Sequence, residues 1–138
     1  MPTLTPAPKR DMPPEKLHDI AVTAHSAYIA DQSDPERGRH AFAYSISICN
    51  NGTVAAQLIS RHWIITDAHN RVQEVKGPGV IGRQPVLQPG ETFDYTSGTT
   101  IATAVGTMRG SYQMRAADGT EFDAPIPEFT LAMPRVLH

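Results

Sequence analysis

The chain has 138 residues, with 12 Lys and Arg against 14 Asp and Glu, for a formal net charge of −2. That balance supplies no basic stripe for a nucleic-acid partner. One cysteine excludes an internal disulfide framework and fits a reducing cytosol. No run approaches the ~20 apolar residues of a membrane span, and the proline-broken N-terminus lacks an apolar signal core. A cytoplasmic protein with no nucleic-acid or membrane partner is expected. At this size one domain buries roughly two-thirds of its unfolded surface without a metal or disulfide staple.

Residues 1–18 hold Pro2, Pro6, Pro8, Pro13 and Pro14. Proline fixes φ and lacks an amide donor, so this segment reads as a disordered tail. The folded domain is expected over 19–134, with a short C-terminal tail at 135–138. Ile20–Ile29 is strand-like. SDPERGR follows, with Ser33 and Glu36 at capping-box spacing, but Pro35 and Gly38 limit any helix to about one turn. His40–Asn50 alternates most clearly: Phe42, Tyr44, Ile46 and Ile48 share one face, as in a half-buried strand. Cys49 lies on the small-residue side with no cationic neighbour in sequence, and reads as an inert thiol.

Asn51-Gly52-Thr53 reads as a turn, since Asn and Gly both tolerate positive φ. Along Thr53–Thr66 neither parity is cleanly apolar. Such a strand is central or carries a bulge that switches its faces. Asp67–Asn70 is a turn, and Arg71–Lys76 pairs back. A glycine loop follows, with Gly77, Gly79 and Gly82. Pro85–Gly90 is a bend, and Phe93 and Tyr95 alternate after it. TSGTTIATAVGT is expected as a loop broken by Gly98 and Gly106. Met108–Arg115 is the next strand, and Asp118-Gly119 is a hairpin signal. Phe122–Leu131 is the last strand, at an edge or bulged where Pro125 and Pro127 lack donors. Seven or eight short strands without an amphipathic helix predict an all-β, antiparallel β-sandwich.

Three kinds of chemistry are testable on these residues. Gly77, Gly79 and Gly82 form G-x-G-x-x-G, but Arg83-Gln84-Pro85 follows in place of the helix that a dinucleotide fold requires. What survives is an anion-binding nest of backbone amides flanked by Lys76 and Arg83. His62 and His69 would need a third ligand, and no Cys/His zinc spacing is present; no metal and no cofactor is expected. Ser60, His62 and Asp67 are triad residue types, but a serine on an ordinary strand lacks the elbow that exposes a nucleophile. No catalytic residue is assigned and no enzyme activity is expected. Binding through loops or an open edge is what remains, including strand addition at the proline-marked edge. An open edge also leaves monomer and homodimer both available.

Several collinear blocks together resemble the ApaG family, also called CorD: SDPERGRHAFAYSI, QLISRHWIITDA, VKGPGVIGRQPVLQPGETFDYTSGT, GTMRGSYQM and DGTEFDAPIPEFTL. They span roughly residues 20–134. The resemblance implies a fibronectin-type-III or immunoglobulin-like sandwich. It implies a genetic tie to cobalt resistance and magnesium transport. It also implies proximity of the gene to those of a diadenosine tetraphosphate hydrolase and an rRNA dimethyltransferase. Related domains in a eukaryotic F-box protein and a polymerase-delta-interacting protein look like protein-interaction modules, which implies a protein partner here. The family carries no established catalytic residues. Its glycine motif maps onto Gly77, Gly79 and Gly82 and has suggested pyrophosphate binding. A nucleotide or pyrophosphate sensor, with an anionic small molecule as partner, is therefore the alternative to an interaction module.

Overall fold

The computed structural model describes residues 16–134. Most of the expected proline tail and the C-terminal segment 135–138 lie outside the described residues. Among the described residues eight strands run in chain order: β1 Ile20–Tyr28, β2 His40–Asn50, β3 Ala56–Asp67, β4 Val72–Pro78, β5 Val86–Leu87, β6 Thr92–Ile101, β7 Val105–Ala116 and β8 Glu121–Ala132. Among the described residues the helical content is two single 3-10 turns, Ala30–Gln32 and Pro35–Arg37; the second ends on Gly38 at φ +66. Every paired strand is antiparallel. One sheet is ordered β1-β2-β6, the other β4-β3-β7-β8, with β5 also on β3. The expected sandwich is the fold observed.

The core lies between the sheets. From the small sheet come Val22, Phe42, Tyr44, Ile46, Ile48 and Tyr95; from the large one come Leu58, Trp63, Ile65, Tyr112, Met114 and Leu131. Trp63 is the hub. Its ring meets Tyr44, Tyr112 and Phe129 edge-on, with centroids 5.3, 6.3 and 6.0 Å away. Each such contact contributes about 0.5–1.5 kcal/mol beyond the area it buries. A hydroxyl pair also ties the sheets together: Tyr95 Oη on β6 lies 2.5 Å from Tyr112 Oη on β7. Burial pushes the Tyr95 hydroxyl up to about 12 and the Tyr112 hydroxyl higher still. Both are protonated across the physiological range.

Two bulges set which residues face this core. In β3 the pairing with β7 passes from Leu58 opposite Met114 to Ser60 opposite Gln113, leaving Ile59 extra. Before it, Ala56 and Leu58 are buried; after it, Trp63, Ile65 and Asp67 are. One inserted residue thus transfers the inward role from even to odd positions, which resolves the mixed parity of the sequence. In β8, Pro127 and Glu128 together oppose Arg109, between the pairs Gly110–Ile126 and Met108–Phe129. This strand is both an edge and bulged, and the missing proline donors fall where they cost least.

Other local readings change. TSGTTIATAVGT is not a loop. Thr96–Ile101 continue β6, Val105–Thr107 open β7, and only Ala102–Ala104 turn the chain. Gly98 does not break the strand because it sits mid-ladder opposite Ala43, while flanking threonines pair along β2; tertiary pairing overrides the propensity of one glycine. Gly77 and Pro78 likewise belong to β4 rather than to a loop. Lys16 to His18, at the end of the segment read as a tail, are tied to the sandwich. The Thr53 amide donates to the Leu17 carbonyl at 3.2 Å, and His18 Nε2 lies 2.8 Å from Asp118 Oδ2.

The end of β2 is held by Asn50, whose side chain is fully buried. Its amide donates to the carbonyls of Val54 and Leu87 at 3.0 and 2.9 Å, and its Oδ1 accepts from the Gly52 amide at 2.9 Å. Its backbone accepts from Gly90 and donates to Glu91. One side chain therefore joins the β2–β3 turn to β5. Asn50→Ala should cost about 2–4 kcal/mol, because it strands three buried backbone groups; chemical denaturation checks this, and a loss under about 1 kcal/mol would contradict the assignment.

Two carboxylates lock turns. Burial pushes the Asp67 carboxyl up, but the backbone amides of Arg71 and His69 and the Arg71 guanidinium together hold it below its usual 3.8. The Thr120 amide and His18 lower Asp118 in the same way. A carboxyl depressed in the folded state stabilises the fold above its unfolded value, and that contribution is lost as pH falls through the folded value. Thermal midpoints should hence drop as pH is lowered below about 4, with Asp67→Asn and Asp118→Asn each giving a shallower acid slope than the parent. Parallel acid slopes in all three proteins would rule out these two carboxylates as the cause.

Candidate functional site

The sandwich is closed on one side and open on the other. Strands β1 and β8 come together across the sheets, where Ser26 Oγ donates to the Thr130 carbonyl at 2.7 Å. The proline-marked edge therefore faces β1. On the other side, β6 ends the small sheet and β4 ends the large one. Between them lies a cleft of about 410 Å³. Its walls include Tyr44, Trp63, Val75 and Val80, with Ser97 and Thr99 from β6 and Arg61 from β3.

Arg61 is brought inward by the β3 bulge, in phase with Trp63 and Ile65. It pairs with Gly77 on one side and Tyr112 on the other. Gly77 makes room for the guanidinium: a Cβ there would lie 3.1 Å from both Nη1 and Nη2. Nη1 donates to the carbonyls of Pro78 and Gly79, each at 3.0 Å. Among the described residues no carboxylate lies within ion-pair distance of Arg61. The sequence had one signal for this residue, an arginine sharing parity with Trp63 and Ile65. It was obscured because the parity changes at Ile59.

The glycine motif takes its shape from the turn it makes. Val80 and Arg83 exchange backbone hydrogen bonds of 2.8 and 2.9 Å, around Ile81 at φ +44 and Gly82 at φ +75. Positive φ at both central positions is the pattern of a type I′ turn. Gly79, at φ +59, approaches so closely that a Cβ would fall 2.2 Å from the Arg83 carbonyl oxygen. The Gly79 amide donates to the Ile59 carbonyl at 2.9 Å. The amides of Gly79, Val80 and Arg83 are thus engaged within the fold. The groups this segment turns toward a ligand-sized charge are two carbonyls, and their charge is Arg61.

The other candidates separate. Lys76 stands opposite His62, and with Gly77 it borders a shallow depression on the outer face of the large sheet. Gly82 borders the inter-sheet cleft. Arg83 packs over the Phe93 ring, 5.3 Å from its centroid, a cation–π contact that fastens the turn to β6. His62 Nε2 lies 3.5 Å from Glu74 Oε1 without a hydrogen bond. His69 belongs to the β3–β4 turn, at the far end of β3. Among the described residues no three His, Cys, Asp or Glu side chains group as metal ligands. Ser60 Oγ donates to Gln113 Oε1 at 2.8 Å rather than pairing with His62. Cys49 Sγ donates to Asn51 Oδ1 at 3.2 Å. None of the described helices is long and apolar enough to cross a membrane.

Comparison with known proteins follows the same outline. The family model for the ApaG domain matches residues 30–116. Protein ApaG of Thiobacillus denitrificans is 66% identical over 123 residues, covering 89% of this chain and 97% of that protein. Protein ApaG of Nitrosospira multiformis is 59% identical over 123 residues, with the same coverage of 89% and 97%. Among solved structures, the crystal structure of the putative ApaA protein from Bordetella pertussis superposes with a TM-score of 0.85 at 53% identity, covering 89% of this chain and all of that one. The matched region contains the cleft, Arg61 and the glycine turn, and on these grounds the chain belongs to the ApaG domain family.

Proposed function

We propose that this protein is a binding module that engages a protein partner by strand addition on β6. The observation that carries this reading is the state of the four outer strands. β1 and β8 face each other across the closed side, and β4 carries Glu74, Lys76 and Pro78 along its edge. β6 runs ten residues, TFDYTSGTTI, with neither lysine nor proline and one charge, Asp94. Proteins ordinarily guard such an edge with charge, proline or a bulge. Left bare, it is a template for an extended segment of another chain. The interaction role of related domains supports the same reading, and a cytoplasmic setting suits the single cysteine. In this view the link to cobalt and magnesium tolerance runs through the partner rather than through a bound ion.

A partner captured from native bacterial lysate should protect the outward amides of β6 from hydrogen exchange, leaving β4 and β8 unchanged. Thr96→Lys with Thr100→Lys, both on exposed positions, should leave stability within about 0.5 kcal/mol and abolish capture. A partner that protects another strand, or that still binds the lysine variant, would refute strand addition on β6. Protection that grows with protein concentration alone would identify a second copy as the added strand.

The alternative, a nucleotide or pyrophosphate sensor over Gly77–Gly82, has less support because three of the turn amides are already engaged and Lys76 and Arg83 diverge. Titration with pyrophosphate to about 10 mM, a concentration that registers even weak binding, should leave the amide resonances of residues 76–83 in place; saturable shifts there would reinstate the sensor.

A further inference from the structure

We propose that the inter-sheet cleft is a binding site for a small organic carboxylate with an apolar body, and that Arg61 holds its carboxylate. The inference is independent of strand addition on β6. It starts from the charge. A half-buried guanidinium makes its strongest hydrogen bonds with a carboxylate. Arg61 instead meets only two carbonyls, both through Nη1. Among the described residues Nε and Nη2 have no hydrogen-bond partner. Those two groups form one edge of the guanidinium fork, spaced for the two oxygens of a carboxylate.

Charge balance selects the class. A single arginine matches a single negative charge, whereas a dianionic phosphate would remain undercompensated between walls of Tyr44, Trp63 and Val80. The cleft volume of about 410 Å³ falls in the range of small-molecule sites, and polar groups of Arg61, Gln73, Ser97 and Thr99 share its lining with the apolar walls.

A second observation concerns the rim. Ile81 borders the cleft, is 53% exposed and sits at φ +44. A β-branched residue there is a conformational outlier, and Asn-Gly would suit this turn better than the Ile81-Gly82 present. Folding gains little from an exposed, strained isoleucine. A ligand with an apolar body gains a wall.

The test uses the full chain, with phenylacetate, 3-phenylpropionate and hexanoate as probes and their primary amides as neutral controls. Trp63 is the sole tryptophan and lines the cleft, so its fluorescence reports occupancy; the Arg61 Nε–Hε resonance reports the contact. At least one acid should saturate both signals at millimolar or lower concentration, and its amide should bind at least about tenfold more weakly. Arg61→Gln should weaken binding by about tenfold or more, and Arg61→Lys, which keeps the charge and loses the fork, by a smaller factor. Ile81→Asn should raise the denaturation midpoint while weakening the acid several-fold. No saturable response to any acid at about 10 mM, equal binding of acid and amide, or undiminished affinity in the arginine variants would each overturn the assignment. Should Arg61→Gln fail to fold, the lysine variant and the acid–amide ratio decide the matter alone.

Discussion

The residue inserted at Ile59 governs the rest of this molecule. Without it β3 would keep one parity from Ala56 to Asp67. Ser60, His62 and Ile64 would then face the other sheet, while Trp63 and Arg61 would face solvent. With it, the strand first buries Leu58 and then, one residue out of phase, Trp63 and Ile65. The aromatic centre formed by Trp63 with Tyr44, Tyr112 and Phe129 depends on that shift. So does the inward guanidinium. A bulge is commonly found where a sheet must re-aim a side chain, and here it re-aims a hydrophobic hub and a charge together.

The second bulge, at Pro127 and Glu128, is the counterpart on the far strand. It brings Phe129 into contact with Trp63 after Ala124 and Ile126 have filled the other parity. The two irregularities therefore act on the same aromatic cluster from β3 and β8. The sheet orders leave a closed side, where β8 meets β1, and an open side, where the cleft separates β4 from β6. Asymmetry of this kind gives a small all-β domain one covered flank and one accessible flank.

Most of the architecture was legible because all-β chains punctuate themselves. Asp118-Gly119, Asp67–Asn70 and the alternation of His40–Asn50 each locate a turn or a strand from local chemistry. The mixed parity of β3 was legible too, as the mark of a central strand or of a bulge without a position, and β3 is both. Thr96–Ile101 was not. Its strand state depends on pairing with His40–Ser45, residues more than fifty positions away, and Gly98 carries the opposite local signal. Arg61 was hidden for the same reason that made it interesting: its inward orientation follows from a register shift that no short window displays. The glycines were visible as a motif, but their meaning was not. Gly77 clears space for a guanidinium, and Gly79 and Gly82 supply positive φ; the motif's spacing is that of a hairpin turn.

This changes what the glycine turn contributes electrostatically. A phosphate-binding loop gathers amide N–H groups around an anion. Here the amides of Gly79, Val80 and Arg83 are spent on the hairpin and on the Ile59 carbonyl, and the carbonyls of Pro78 and Gly79 converge on Arg61. The turn is thus a cation seat, and the positive charge it holds belongs to the protein. Two neutral dipoles do not cancel that charge; they orient it and leave part of the fork unsatisfied. The turn is in turn anchored by Arg83 on Phe93, so it bridges the two sheets at the cleft and fixes the distance between Arg61 and β6. A sequence pattern associated with anion capture by backbone amides has become, on a sheet, a device for presenting an arginine.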